Sequence, residues 1–321
     1  MSSFEELVRA NVNNTVEKTQ FPLGKRYQGK VRDNYTTEDG RRVIVATDRL
    51  SAFDRVITTI PFKGQLLSQL SNHWFEETKA VVPNHVLDVP DPNVTVAVEC
   101  TPIPVEVVVR AYITGSAWRA YQKGKDISGV VFPPGLAKNQ KLDEVVVTPS
   151  TKAEHGLHDE AISEGEILKR KLVQKETYEL MVGYALKLFE IGTRACAQRG
   201  LILVDTKYEF GTTPRGDLVL IDEIHTPDSS RFWIKETYEE RFAAGEEPDI
   251  LDKEFFRSWL MERGFSGDGE IPDVPVDVKV SLARRYKRSF EAITGKEFVP
   301  ALEGGSVEER IRSNLEAAGL L

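Results

Sequence analysis

Alternation of apolar and polar residues, the two-residue period of a β-strand, dominates the first third of the chain. Residues 34–47 carry this pattern on both sides of Asp39-Gly40, a dipeptide typical of a hairpin turn. Apolar runs at 95–100 and 105–110 predict two more strands. The two prolines of residues 101–104 are expected to keep that segment extended and out of any sheet centre.

A helical period of about 3.6 residues replaces the alternating pattern elsewhere. One helix is predicted at 64–80, where leucines and aromatic residues recur at helical spacing. A long helical region begins with Ser163 and Glu166 at capping-box spacing, is interrupted near Val173, and ends on Gly200.

Two short apolar runs at 201–206 and 217–222 follow the long helical region. They flank a turn at 212–216, so we expect a β-hairpin. The last quarter is helical again, and Pro275 and Gly295 mark the two ends of one predicted helix.

The order of these elements predicts the fold class. Strands come before helices, and the regular βαβ alternation of a parallel sheet is missing, which favours an α+β architecture with two lobes. We predict a β-rich lobe over residues 1–104 and a mixed α+β lobe over residues 105–321.

Composition and charge narrow the classes of function. The 321 residues, 40% of them hydrophobic, suffice to bury a core without disulfide or metal support. With 42 Lys plus Arg against 50 Asp plus Glu, the net charge of −8 argues against a protein that wraps nucleic acid. Anionic small substrates remain compatible with it, because a few local cations suffice to bind them.

The cellular compartment is predicted from cysteine usage and hydropathy. Cys100 and Cys196 form no CxxC motif and are expected to be core residues in a reducing interior. Residues 1–15 lack the basic flank and apolar run of a signal peptide. The longest apolar stretches, such as 130–137, are far too short to span a bilayer. We therefore expect a cytoplasmic protein without membrane contact.

The strongest local signal for chemistry is the pair of segments 205–211 and 220–233. Alternate residues of a strand share a face, so Asp205, Lys207 and Glu209 should point the same way, with Asp222 nearby on the facing strand. Glu209 and Asp222 together offer two hard oxygen ligands of the kind that hold Mg²⁺ beside substrate phosphates. The alternative is the polar, solvated face of a hairpin.

Two further segments suit anions. Arg110 ends an apolar strand and is followed by Gly115-Ser116 at a helix start, which combines a guanidinium with free backbone N–H groups. Lys30 and Arg32 flank a glycine-containing turn that could cover a triphosphate. Pairing of the arginine with a carboxylate, and an ordinary solvated turn, remain the respective alternatives.

A third group of polar residues lies in the segment 150–160. Lys152, His155, His158 and Asp159 occur close together there. A zinc site is poorly supported, because no third or fourth ligand lies within reach in the sequence.

Five segments in this order resemble the SAICAR synthetases, the phosphoribosylaminoimidazole-succinocarboxamide synthases of purine biosynthesis. The resemblance extends from about residue 20 to about residue 260, and its last two segments are the most diagnostic. The segments are YQGKVRDNY, TDRLSAFD, PVEVVVRAYITGSAW, DTKYEFG and LIDEIHTPDSSRFW.

The resemblance implies an enzyme that joins L-aspartate to the carboxylate of carboxyaminoimidazole ribonucleotide (CAIR), using ATP and Mg²⁺ and releasing ADP and phosphate. It also implies a nucleotide lobe similar to protein kinases and ATP-grasp enzymes, with residues 1–104 covering ATP and residues 105–321 carrying the metal and ribonucleotide sites. The chain is similar in length to the fungal form, and His225 stands where the bacterial short form tends to have serine. This leaves the oligomeric state open and favours a monomer.

The resemblance assigns roles to individual positions. The magnesium carboxylates would be Glu209 and Asp222. Contacts with ATP would come from Lys30, Arg32, Glu99 and Cys100, the last two at the adenine. The ribonucleotide would contact Arg110, Ser116, Asp228, Ser229 and Arg231. Further catalytic positions would be Asp54, Lys152, Asp159 and Lys207.

These residue types suit the implied reaction. A carboxylate is a poor acyl donor, so we expect ATP to phosphorylate it before the neutral aspartate amine attacks. Phosphoryl transfer needs positioned cations and metal more than covalent help, and no enzyme nucleophile is required. Two alternatives remain open: a small-molecule kinase and a non-catalytic nucleotide-binding regulator.

Overall fold

The computed structural model describes residues 3–53, 55–152, 160–251 and 254–321. Its helices, in chain order, are α1 (Phe4–Ala10), α2 (Lys63–Thr78), α3 (Gly115–Gln122), α4 (Glu164–Lys169), α5 (Lys175–Gln198), α6 (Lys235–Ala243), α7 (Glu254–Met261), α8 (Val276–Thr294) and α9 (Val307–Ala317). Its strands are β1 (Lys25–Gln28), β2 (Arg32–Thr36), β3 (Arg41–Ala46), β4 (Arg49–Ala52), β5 (Arg55–Thr59), β6 (Val86–Asp91), β7 (Val94–Val98), β8 (Thr101–Tyr112), β9 (Lys141–Val147), β10 (Ser150–Thr151), β11 (Leu201–Thr212), β12 (Leu218–Leu220) and β13 (Ser230–Ile234).

The chain divides into two compact units. The first unit contains Met1–His73, Val86–Glu99 and Leu251–Leu321, and the second contains Trp74–His85 and Cys100–Ile250. The units therefore differ from the predicted lobes, because the C-terminal helices belong with the N-terminal strands. Mixed helix and strand content agrees with the predicted α+β class.

The first unit contains an antiparallel sheet in the order β1-β2-β3-β7-β6. Strands β2 and β3 form the predicted hairpin at Asp39-Gly40, with Thr36 opposite Arg42. The inward-facing side chains of the sheet form a buried cluster with α9; it contains Tyr35, Val43, Val45, Val94, Val96, Ile311 and Leu315.

Helix ends in the first unit follow their sequence signals. Helix α8 begins after Pro275 and ends at Gly295, which has the left-handed φ of 70° that a glycine C-cap supplies. Helix α9 has a complete capping box, in which Ser306 and Glu309 bond to each other's backbone N–H groups. The two ends of α8 are as predicted, because they depend on residues close in sequence.

The second unit is built around β8 and β11. Its sheet has the order β10-β8-β11-β12, with β13 also paired to β11 and β9 also paired to β8. In the antiparallel register of the two long strands, Arg110 lies opposite Asp205 and Glu106 lies opposite Glu209. Helix α5 packs against both strands. The predicted interruption of the long helical region is the gap that separates α4 from α5.

The predicted hairpin is present in the second unit, but its strands have other bounds. In place of 201–206 and 217–222, they are a twelve-residue β11 and a three-residue β12, which pairs with Phe210–Thr212. Strand β11 is longer because β8 pairs along most of it. The prolines of residues 101–104 lie inside β8, with Pro102 opposite Gly211. They lie among the first four residues of β8, and proline, which has no N–H group, is tolerated near the start of a strand.

Within the described ranges, no helix is long and apolar enough to cross a membrane.

Candidate functional site

One face of the sheet in the second unit is polar and largely buried. Strand alternation places Asp205, Lys207 and Glu209 of β11 on this face, as predicted. The register brings Arg110 of β8 opposite Asp205 and Glu106 of β8 opposite Glu209. Apart from Lys207, these side chains are nearly inaccessible to solvent, so their charges must be satisfied by one another or by a ligand.

The first group on this face is a carboxylate–lysine cluster, formed by Glu106, Lys152, Lys207, Glu209 and Asp222. Lys207 Nζ lies 2.8 Å from Glu106 Oε1 and 3.9 Å from Asp222 Oδ2, and it also contacts Glu209. Lys152 contacts the other oxygen of Glu209. Glu209 and Asp222 therefore share the Lys207 ammonium group as a partner. The structure thus brings together the two carboxylates that the sequence pairs, with two ammonium groups around them.

Burial and charge shift the pKa values in this cluster. Burial, followed by the charge of Asp222, raises the pKa of Glu209 to about 7, although both lysines oppose the shift. Burial would lower the pKa of Lys207, but the charges of Glu209, Asp222 and Glu106 outweigh it and raise the value. Two adjacent carboxylates in a dry setting therefore create a strong demand for positive charge.

The donor set of Glu209 and Asp222 fits Mg²⁺. Both are hard oxygen ligands, they adjoin, and their mutual repulsion would be relieved by a divalent cation. Among the described residues, no group of three or more His, Cys, Asp or Glu side chains converges on one metal position. A metal held here would therefore take its other ligands from substrate and water, as Mg²⁺ commonly does.

The second group is an arginine cluster around Asp205. Arg110 donates from Nη1 to Asp205 Oδ2 (2.9 Å), from Nε to Thr148 Oγ1 (2.8 Å) and from Nη2 to Ser116 Oγ (3.0 Å). Arg231 contacts the same oxygen of Asp205. Two guanidinium groups thus share one carboxylate, which leaves an excess of positive charge suited to an anionic ligand.

Glycine at position 115 is required by this cluster. A Cβ atom there would lie 2.5 Å from Nη2 of Arg231, and the backbone φ is 55°. Any side chain would displace the guanidinium that contacts Asp205. The two clusters lie on the same strand four residues apart, a span of about 13 Å at roughly 3.3 Å per residue.

The loop of residues 221–229 carries the remaining predicted ribonucleotide residues. Ser229 O accepts a hydrogen bond from the backbone N–H of Lys207 (3.3 Å), and Ser229 Oγ accepts one from the N–H of Thr226 (3.1 Å). The N–H of Asp228 donates to Thr226 Oγ1 (3.3 Å). Asp228 and Ser229 are therefore held beside β11, close in sequence to Arg231.

The predicted ATP contacts Lys30, Arg32 and Glu99 lie in the first unit, and Cys100 is a buried thiol of the second unit. Lys30 lies in the β1–β2 turn, and its carbonyl accepts a hydrogen bond from Nε of Arg49 (2.9 Å). Glu99 forms an ion pair with Arg42.

Two predicted catalytic residues, Asp54 and Asp159, lie outside the described residues, as do His155 and His158. Lys152 and Lys207, by contrast, both join the carboxylate–lysine cluster.

Sequence reasoning missed two residues that the geometry makes prominent. Glu106 receives Lys207 in the carboxylate–lysine cluster, and Arg49 holds the turn that carries Lys30. Glu106 could have been found, because it is four residues before Arg110 and so shares its strand face. Arg49 gave no such signal, since its partners lie 16 or more residues earlier in the chain, mainly in the β1–β2 turn.

Comparison with known proteins gives a consistent result. The family model described as SAICAR synthetase matches residues 25–272. A phosphoribosylaminoimidazole-succinocarboxamide synthase of Legionella pneumophila (strain Paris) is 48% identical over 305 residues, covering 93% of this chain and 97% of the relative. The enzyme of that name from Bacteroides fragilis is 50% identical over 295 residues, covering 91% and 93%.

Solved structures agree with the sequence relatives. The SAICAR synthase of Saccharomyces cerevisiae, complexed with SAICAR, has a TM-score of 0.78 at 32% identity, covering 89% of this chain and 100% of that one. A type-2 SAICAR synthetase in complex with ADP has a TM-score of 0.67 at 27% identity, covering 86% and 100%.

Proposed function

The chain belongs to the SAICAR synthetase family, and from that premise we propose that it joins L-aspartate to the carboxylate of CAIR. The products are SAICAR, ADP and phosphate, and the reaction is a step of purine biosynthesis. The observation that carries this proposal is the polar sheet face on which the carboxylate–lysine cluster and the arginine cluster lie on one strand. One cluster suits a metal-bound phosphoryl group, and the other suits an anionic ribonucleotide.

The first chemical task is activation of the CAIR carboxylate. ATP transfers its terminal phosphoryl group to that carboxylate, so that a poor leaving group becomes phosphate. Glu209 and Asp222 would hold Mg²⁺, which would neutralise charge on the phosphates and help to orient them. Lys207 and Lys152 already lie against Glu209 and would supply further positive charge to the transferring group.

The second task is attack by the amine of aspartate on the acyl phosphate. The new C–N bond forms as the C–O bond to phosphate breaks, and a nearby carboxylate or a phosphate oxygen accepts the proton that the amine loses. No covalent intermediate with the enzyme is needed, because acyl transfer is direct. The residues of this chain therefore act by binding and orienting the reactants.

Binding of the ribonucleotide is assigned to the arginine cluster and the following loop. Arg110 and Arg231 would contact anionic oxygens, with Ser116 supplying a hydroxyl, and Asp228 and Ser229 would contact neutral polar groups. In the first unit, Lys30 and Arg32 would bind ATP phosphates. Neither buried cysteine forms a disulfide within the described residues, which supports the cytoplasm as the proposed compartment.

The test of the proposed reaction is an assay in which each substrate is omitted in turn. With ATP, Mg²⁺, CAIR and L-aspartate all present, we expect ADP release and a product heavier than CAIR by an aspartyl group. Full-rate ADP release without aspartate, with a product heavier by a phosphoryl group, would support the kinase alternative instead. Addition of a chelator in excess of Mg²⁺ should stop turnover.

The matched variants test the two carboxylates. Glu209→Gln and Asp222→Asn should each lower kcat at least about a hundredfold, since each removes charge from the metal site, while circular dichroism shows an intact fold. Asp217→Asn is the control: it makes the same change from carboxylate to carboxamide at an exposed position in the turn before β12, and it should leave kcat unchanged. Near-normal turnover in Glu209→Gln would refute the assignment of the metal site.

A further inference from the structure

On the face of the sheet opposite the carboxylate–lysine cluster, a hydrogen bond joins β11 to the loop that carries Asp222. Tyr208 lies between Lys207 and Glu209 on β11 and therefore directs its side chain to the opposite face of the sheet. Its hydroxyl lies 2.7 Å from Nε2 of His225, and both side chains are completely buried. The proposed reaction uses neither residue directly.

This contact and one backbone hydrogen bond attach the loop to β11 on the two sides of Asp222. The N–H of Ile221 donates to the carbonyl of Glu209 (3.1 Å), immediately before Asp222. His225 bonds to Tyr208, three residues after Asp222. Asp222 is therefore bracketed by two attachments to consecutive residues of the strand that carries Glu209.

The imidazole of His225 has little freedom to move. A Cβ atom on Gly192 of α5 would lie 2.5 Å from Cε1 of the ring, so the ring occupies the space that this glycine leaves. The ring of Trp74 packs edge-on at a centroid distance of 4.6 Å. The backbone of His225 has a φ of 53°, a left-handed conformation that side chains seldom adopt. Such strain persists only where the surroundings fix the residue.

The bond joins two uncharged groups. Burial lowers the pKa of His225 to about 3, so the imidazole is neutral at physiological pH. Nδ1 of the ring has no hydrogen-bond partner in the described part of the chain, so the Tyr208 hydroxyl is its one polar attachment there. Loss of that hydroxyl would leave a buried imidazole unsatisfied.

We propose that Tyr208 and His225 are positioning residues, whose hydrogen bond, with the ring seated against Gly192, holds Asp222 beside Glu209. The inference rests on the proposed function, because it assumes that those two carboxylates bind the metal. In this proposal, a side chain on one face of β11, Tyr208, positions a metal ligand on the opposite, polar face.

The experiment measures binding of Mn²⁺ in the presence of ADP by electron paramagnetic resonance, with the full chain at 25 °C. Mn²⁺ suits the same oxygen ligands as Mg²⁺. Tyr208→Phe, which removes only the hydroxyl, should weaken Mn²⁺ binding about fivefold or more, the size expected for one buried hydrogen bond. The KM for Mg²⁺ should rise by a similar factor while kcat at saturating Mg²⁺ largely recovers.

A pair of glycine variants on α5 provides the matched control. Gly192→Ala should displace the imidazole and weaken Mn²⁺ binding without changing either bonded residue. Gly183→Ala, on the same helix with open space around the new methyl group, should bind Mn²⁺ as the wild type does. If Gly192→Ala does not fold, Tyr208→Phe alone decides.

The outcomes separate this inference from the proposed function. If Glu209→Gln binds Mn²⁺ as tightly as the wild type, the metal site itself is wrong, and the inference is refuted with it. If Glu209→Gln loses binding but Tyr208→Phe keeps it, with only a lower melting temperature, the Tyr208–His225 bond is merely structural and only the inference is overturned.

Discussion

The buried ion pair of Arg49 and Asp33 shows how a single residue can organise a turn. Arg49 is 1% exposed and donates to Asp33 Oδ1 and to the carbonyls of Gly29 and Lys30, each at 2.9 Å. Burial opposes ionisation of Asp33. Hydrogen bonds from Thr19, Arg26 and Arg49 outweigh this effect and hold the pKa of Asp33 below its usual value. The turn that carries Lys30 thus depends on a charge pair in the interior.

Asp33→Asn should destabilise the protein by about 3 kcal/mol, because it leaves the Arg49 guanidinium buried with one charged partner fewer. The measurement is the free energy of unfolding in urea at pH 7. Asp39→Asn is the control, since Asp39 pairs with Arg41 at the exposed end of the same sheet, and it should leave stability nearly unchanged. An equal effect of both substitutions would contradict this account.

Helix α9 illustrates how an element is fixed by its end. Ser306 caps the helix and Glu309 returns the bond, while Ile311 and Leu315 pack into the core beneath β3 and β7. Ser306→Ala should therefore lower the free energy of unfolding by about 1 kcal/mol. Ser313→Ala, an exposed position inside the same helix, should be neutral or slightly stabilising, since alanine favours helix interiors. Urea denaturation of the two variants side by side tests the cap.

Elements were predictable where their cause is local. A few neighbouring residues determine the capping box of α9 and the proline and glycine ends of α8. The length of β11 was not predictable, because it is set by pairing with β8, about a hundred residues earlier in the chain. The pairing of β11 with β8 ends at Thr212, opposite Thr101. The turn that the local sequence predicts at 212–216 begins there.

The candidate site shows the same division. Adjacency of Glu209 and Asp222 followed from strand alternation and one turn, and the structure places them together. Glu106 and Asp205 acquire their partners through the register of β8 with β11. No local pattern states that register, so which lysine or arginine each carboxylate would meet could not be derived.

At the scale of the whole molecule, buried carboxylates set the dependence of stability on pH. Asp48 is completely buried, and burial raises its pKa to about 6, although N–H groups of Gly64 and Val16 oppose the shift. A raised pKa favours the protonated folded state, so this contribution is fully present below about pH 4 and is lost as pH rises through 6. Asp33, whose pKa is lowered, contributes stability above pH 4 that is lost as pH falls.

The two trends together predict a maximum of stability near pH 4. From pH 7 to pH 5 the free energy of unfolding should rise, with about 1 kcal/mol from Asp48, because about one pKa unit of its shift falls in this interval, at 1.36 kcal/mol per unit. Glu209, with its pKa raised to about 7, acts in the same direction. Urea denaturation at half-unit pH intervals measures this curve. Asp48→Asn should flatten its upper limb, and a steady fall in stability from pH 7 to pH 4 would contradict the account.

The double role of β11 limits how the gene can change in length. Consecutive residues of this strand face opposite sides of the sheet: Lys207 and Glu209 belong to the carboxylate–lysine cluster, and Tyr208 packs on the other side. Deleting or inserting one codon within 205–209 would exchange the two sets, placing charges in the core and the tyrosine among the charged side chains. The exposed turn of residues 213–217 has no such constraint, so length variation and fusion of foreign peptides should be accepted there and refused a few residues upstream.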